Sequence, residues 1–227
     1  MVEPPSRKIH WARAWRLVPT RIPRINLYER LADSHEQRRL AEIEELTNPR
    51  MMEERGTKNF LRKGDYFRKN VSPGVKASFA YLAPSRFGSG IFPILYAASN
   101  ELTALAEKRH HLARFLKAHH TRPTISKQIA WILSVSGKFH DLRQPSKNFK
   151  NFYSLNSYTA AQSLGRHLWE EGSQGIVYES VRRPSGQCVA AFSPQTIMSC
   201  SRGPLFEFHW DGNSIKETFR LESRQDK

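Results

Sequence analysis

Four short segments of this chain carry side chains able to do chemistry: Ser85-Arg86-Phe87, Ile94-Leu95-Tyr96-Ala97-Ala98, Ala104-Leu105-Ala106-Glu107 and Gly175-Ile176-Val177-Tyr178-Glu179-Ser180. An arginine can grip a phosphate through two parallel N–H donors, where a lysine offers only a point charge. A carboxylate such as Glu107 can stabilise positive charge developing on a nearby carbon. Tyr96 could stack on a ring or hydrogen-bond to a sugar, and Ser180 is small enough to donate a hydrogen bond without filling a pocket. Ser180 does not read as a nucleophile, because no Gly-x-Ser-x-Gly elbow surrounds it. A metal site is not expected either. His110-His111 and His119-His120 are adjacent pairs, and Glu107 with His111, though four apart, lack a third ligand. No Gly-x-Gly-x-x-Gly and no P-loop is present, so no dinucleotide cofactor site of the Rossmann kind is predicted.

These residues need elements to position them. A first strand is predicted over 14–18, where Trp15 and Leu17 alternate with Arg16, which should then face away from Trp15. Ser34 with Gln37 makes a capping box for a helix over 34–46. Residues 49–74 are basic and interrupted by Gly and Pro, and read as a long loop that covers a pocket or meets a partner. Strands are predicted over 77–82 and 91–97. Asn100 can then cap a helix over 101–118, whose apolar centre falls near Leu105 and Leu112, with Glu107 and Arg114 on the far side. By periodicity alone Glu107 is a surface carboxylate paired with His111 or Arg114. A central strand over 126–135 follows, apolar on both faces. Thr159 with Gln162 forms a second capping box for a helix ending at Gly172. Hairpins are predicted from 175–181 with 187–192, and from 206–210 with 215–219. Strands and helices are mixed, so the fold class is α+β, a single domain with mixed, mainly antiparallel sheets and flanking helices.

Charge is the one compositional extreme. Thirty-six Lys and Arg against 21 Asp and Glu give a formal net charge of +15, which points to a polyanionic partner: nucleic acid, a phosphorylated small molecule or an acidic protein. No zinc finger, RNP-type strand or helix-turn-helix pattern is legible, which argues against direct nucleic-acid binding. No apolar run approaches the roughly 20 residues of a membrane helix, and the N-terminus lacks a signal-peptide core. A cytoplasmic protein is expected. Cys188 and Cys200 match no zinc spacing and suggest no disulfide framework.

In this order the four segments resemble the RES domain family, named for an Arg, a Glu and a Ser; the matching positions are Arg86, Glu107 and Ser180. The resemblance covers about residues 86–194, and Trp15-Arg16-Leu17-Val18-Pro19 looks like the opening strand of a larger subgroup. The chain departs in having Ser85 where many members have Gly, and Ser193 where some carry Asn before the Pro. The family's known members include toxins of toxin–antitoxin pairs that break down NAD. What it implies is an ADP-ribosyltransferase-like fold that cleaves the nicotinamide–ribose bond, with NAD as substrate rather than cofactor and inorganic phosphate as acceptor ahead of water. Glu107 would stabilise the ribose cation, Arg86 and more weakly Arg16 would clamp the pyrophosphate, and Tyr96, Ser180 and Ser193 would contact the substrate. A protein ADP-ribosyltransferase and a basic nucleic-acid-binding module are the alternatives. The partner implied is an antitoxin with a DNA-binding domain, and the charge adds that its contact surface should be acidic.

Overall fold

The computed structural model describes residues 3–20, 60–69, 71, 73–80, 82–143 and 147–221. Seven strands among them form one sheet: β1 Ser6–Pro19, β2 Leu95–Ala98, β3 Thr124–Asp141, β4 Gly175–Glu179, β5 Gln187–Ala191, β6 Ile197–Trp210 and β7 Ile215–Leu221. The α-helices among the described residues are α1 Pro73–Ala80, α2 Glu101–Ala118 and α3 Thr159–Glu170, with 3-10 turns at Lys147–Tyr153 and Pro194–Thr196. The fold is α+β, and every strand pairing is antiparallel except that of β3 with β4. No described helix is long and apolar enough to cross a membrane.

The strand order is β1-β2-β5-β4-β3-β6-β7, and β1 also pairs with β3, which closes five of the strands into a ring. The ring is uneven. β1 and β3 run together from Ser6–His140 to Pro19–Gln128, whereas β1 meets β2 only at Trp15–Ala98. β3 is central as predicted, flanked by β1, β4 and β6. It outlasts its prediction because beyond Val135 buried Phe139 alternates with exposed Lys138, the period of a strand with one wet face.

The strands feed two cores. Trp15, Leu17, Ala130, Ile176, Tyr178, Cys188 and Ala190 pack with Ala104 and Leu116 of α2 and with Leu164 and Leu168 of α3. Ile9, Ala14, Leu133, Val177, Val189 and Ala191 pack with Val71 and with Val75 and Phe79 of α1. Both faces of β4 and β5 are therefore covered, and their sequences read as unbroken apolar runs.

The strand predicted over 77–82 is a correction: most of it belongs to α1. Proline suits a first helical turn, and Val75 and Phe79, four apart, make the stripe that packs on the sheet. So short an apolar run fits either element. β2 begins at Leu95 rather than 91, because Ile91 is exposed and Phe92 leaves the ladder to stack on Trp169 and meet Phe192 edge-on. Both hairpins form, the second longer than expected because β6 pairs along β3 from Ile197. The helix predicted over 34–46, with its Ser34–Gln37 box, lies outside the described residues.

Helix α3 seats directly on the loop that carries Arg86. A Cβ built on Gly165 would overlap the Phe87 carbonyl oxygen, a backbone atom that cannot swing away. Gly165→Ala should lower the unfolding free energy by about 3 kcal/mol, measured by urea denaturation. An unchanged midpoint would mean that α3 can slide without disturbing the loop.

Candidate active site

Helix α2 starts where the sequence places it. Asn100 Oδ1 accepts hydrogen bonds from the Thr103 backbone N and from Thr103 Oγ1, each at 2.9 Å. The buried side of the helix differs from the periodicity: Thr103, Ala104 and Leu116 are buried, Leu105 and Leu112 are only partly covered, and Leu102 is exposed. Small residues let the helix lie low on the sheet. Its polar stripe, Glu107, Lys108, His111, Arg114 and Phe115, then lines a cavity of about 960 Å³ instead of facing open solvent. The Glu107 side chain is 22% exposed, so the solvated-surface reading is set aside.

Ser180, in the turn that follows β4, is buried and does not itself line the cavity; it reaches Glu107 from behind the wall. Its Oγ accepts hydrogen bonds from the backbone N–H groups of Arg182 and Arg183, each at 3.1 Å, and donates to Glu107 Oε1 at 2.6 Å. With two N–H groups on its lone pairs, the hydroxyl proton has one direction left. The turn carrying Ser180 is fitted to the first turn of α2: a Cβ on Gly186 would come within 2.7 Å of Thr103 Oγ1. On the other oxygen, His111 Nε2 stands 3.7 Å from Glu107 Oε2. Desolvation by the cavity wall and the field of Arg182, Arg114 and Lys108 depress the His111 imidazole. With that side chain 60% exposed, the field is the larger cause.

Arg86 sits at the tip of a turn closed by Ser85 N donating to Gly88 O at 2.7 Å. The Arg86 Nη1 donates to the Phe152 and Ser154 carbonyls at 3.0 Å each, and the guanidinium lies 4.7 Å over the Tyr158 ring. Nε and Nη2 bond to none of the described residues and remain for a ligand. Tyr96 does not offer its hydroxyl to a ligand. That group lies 2.8 Å from Ser85 Oγ and accepts from Phe87 N at 3.1 Å, and burial pushes its pKa up to about 12. Tyr96 therefore lines the cavity with its ring and braces the arginine turn with its oxygen. Gln162 adds a second brace, donating to Ser85 O at 2.9 Å. The predicted Thr159–Gln162 capping box is thus absent. The α3 N-cap is Tyr158, which makes no side-chain cap bond, and Ser157 Oγ takes the Thr159 N–H.

Arg16 and Trp15 both border the cavity, where the alternation of a strand predicted opposite faces. The sheet is split here, with β1 and β2 paired at one position only. Arg16 Nη1 donates to the Tyr96 carbonyl at 2.8 Å, its Nε is buried without a partner, and burial lowers its pKa to about 10.

Ser193 is a correction, because it does not line the cavity. It is 1% exposed, and its Oγ donates to Asp65 Oδ1 at 2.8 Å. The described part of the basic loop does not cover the cavity. Arg62 donates to the Trp169 and Ser173 carbonyls, Arg68 to the Gln195 carbonyl, and Gln195 to the Gly64 carbonyl. That strap fastens residues 60–69 to the end of α3 and the Pro194–Thr196 turn, and none of them borders the cavity. Residues 49–59 lie outside the described part.

The sum is a cavity with one carboxylate, Glu107, among the cations Arg16, Arg86, Lys108, Arg114, Lys117 and Arg182. Such a site favours a ligand with several negative charges and can still stabilise one positive charge beside Glu107. Lys108, Tyr158 and Arg182 were not singled out in the sequence. Counting one turn on from Ala104 would have found Lys108. Among the described residues no group of three or more His, Cys, Asp or Glu side chains is placed to hold a metal ion.

Comparison with known proteins agrees with the residues. The RES domain matches residues 62–211, a span that holds Arg86, Tyr96, Glu107 and Ser180 but not Arg16. Uncharacterized protein y4oC of Sinorhizobium fredii (strain NBRC 101917 / NGR234) is 28% identical over 218 residues, 92% of this chain and 87% of the relative. A chain in the crystal structure of the M. tuberculosis MbcT–MbcA toxin–antitoxin complex is similar at a TM-score of 0.37 and 14% identity, over 60% of this chain and 71% of that one. With well over half of its length matched, and with the arginine and glutamate lining one cavity and the serine hydrogen-bonded to that glutamate, the chain belongs to the RES domain family.

Proposed function

We propose that this protein cleaves the bond between nicotinamide and ribose in NAD, with inorganic phosphate as the first acceptor and water as the second. The observation that carries this reading is Glu107, oriented by Ser180 and the one carboxylate among the described residues of a cavity whose other charged side chains are cations set in a largely apolar wall. As the bond breaks, its electron pair returns to the ring nitrogen and neutralises the pyridinium, and positive charge gathers on the ribose carbon. A carboxylate held beside that carbon stabilises the charge where it forms. A phosphate oxygen then bonds to the same carbon to give an ADP-ribose phosphate; water in its place gives ADP-ribose and releases a proton. Arg86, braced by two carbonyls and the Tyr158 ring, presents its free edge to the pyrophosphate. Ser180 is a positioning residue, acting through Glu107. RES family membership carries the further expectation of a toxin restrained by an antitoxin with a DNA-binding domain, and the +15 charge favours an acidic contact surface on that partner.

The test is purified protein incubated with NAD, with and without phosphate, following nicotinamide release. Release that rises with phosphate is expected; ADP-ribose attached to protein would transfer the reading to protein modification, and no release would end it. Glu107→Gln should lower kcat by about 10²-fold while NAD still binds, and wild-type turnover in the folded variant would remove Glu107 from the role. Arg86→Lys should weaken NAD binding, since the charge stays but the paired donors are lost; calorimetry showing equal affinity would place the clamp elsewhere. For Ser180→Ala the expected signature is a fall in kcat of about 10- to 100-fold with KM for NAD near wild type. A rise in KM alone would make the serine a substrate contact.

A further inference from the structure

Arg16 and Lys108 meet in the cavity wall, one from β1 and the other from α2. Neither forms an ion pair with a carboxylate of the described residues, and Glu107, next to Lys108 in sequence, is already engaged by Ser180. Arg16 commits Nη1 to the Tyr96 carbonyl and leaves a buried Nε without any acceptor. Burial first, and the neighbouring Arg16 second, bring the Lys108 ammonium down to about 8. Two adjacent cations, a buried unpaired donor and no counter-ion make an arrangement that an anion completes.

We propose that Arg16 and Lys108 together form a subsite for a phosphoryl group, separate from the free edge of Arg86. The proposal rests on the reading of the cavity as an NAD site, and it names a residue, Lys108, outside the arginine, glutamate and serine of the family. A phosphoryl group set between the two cations supplies the negative charge that offsets both the burial and the lesser repulsion from Arg16, so the ammonium regains its proton affinity as the ligand binds. The sign follows. Below about pH 8 Lys108 is charged with or without ligand, and above it binding must take up a proton, so affinity falls as pH rises. The other groups facing this corner are Tyr96 from β2, Arg86 from its turn, Arg182 from the turn after β4, and Glu107, His111 and Arg114 from α2 itself. Tyr96 holds its proton to about 12 and Arg16 to about 10, which leaves Lys108 as the group of this corner that titrates near pH 8.

The phosphoryl group could belong to the pyrophosphate of the dinucleotide or to free phosphate. Calorimetric titration of the full chain with ADP-ribose and, separately, with inorganic phosphate at matched ionic strength distinguishes them. The expected result for at least one of the two is tenfold or greater weakening in Lys108→Met at pH 7. The same ligand should bind wild type about tenfold more weakly at pH 9 than at pH 7, relative to Lys108→Arg, which keeps its charge and binds alike at both. An effect on ADP-ribose alone assigns the pyrophosphate; an effect on inorganic phosphate alone assigns the acceptor. Lys108→Met binding both as wild type does, or Lys108→Arg keeping the wild-type pH dependence, overturns the proposal. No turnover is involved, so Lys108-dependent binding in a protein that releases no nicotinamide would leave the subsite standing and remove the NAD reaction.

Discussion

The hydrogen bond from Ser180 to Glu107 joins two pieces of chain that share no secondary structure, and the rest of the site is arranged around it. For that bond to form at 2.6 Å, the turn after β4 must press on the first turn of α2, and Gly186 allows this because Thr103 occupies the space a side chain would need. The helix must also lie low, which Ala104 permits. A hydroxyl whose lone pairs are filled by two backbone N–H groups can orient a carboxylate without being able to rotate away from it. Preorganisation here comes from backbone geometry more than from the number of contacts.

A second dependence runs through the arginine turn. Tyr96, Gln162 and Ser85 all have polar atoms that could meet a ligand, yet each serves the backbone of residues 85–88. Gly165 completes the fit by bringing α3 against Phe87, whose ring in turn packs edge-on to Tyr178. Arg86 is thereby held by the sheet, by α3 and by the turn at Lys147–Tyr153, so its free edge points from a rigid mount.

Net charge gave a partner class but not an address. The dense basic stretch drew attention to residues 49–74, and where that stretch is described its arginines turn inward: Arg62 and Arg68 donate to backbone carbonyls at the end of α3 and around Gln195, and Arg62 also pairs with Asp65. The cations that matter electrostatically come from β1, the arginine turn, α2 and the turn after β4, and converge only in three dimensions. Arg16 and Lys108 are separated by more than ninety positions, yet after burial it is Arg16 that lowers the Lys108 ammonium.

What the sequence determined by itself was local: the Asn100 cap and the extent of α2, the glycine ending α3, the apolar central strand, and the hairpins with their turn residues. These follow from backbone sterics and side-chain period, which act over a few residues. It also held Arg86, Glu107 and Ser180 as a recognisable set of types in order. Tertiary structure decided which polar side chains would face a cavity. Glu107 sat on the hydrophilic side of its helix by periodicity, and only the covering turn and sheet converted that side into an enclosed one. The same physics turned Ser193 away to Asp65, made Gln162 a brace instead of a cap, and drew residues 77–80 into a helix against the sheet. Hydrogen-bond partners and burial depend on which distant surfaces meet, and a period of 3.6 or 2 carries no record of that.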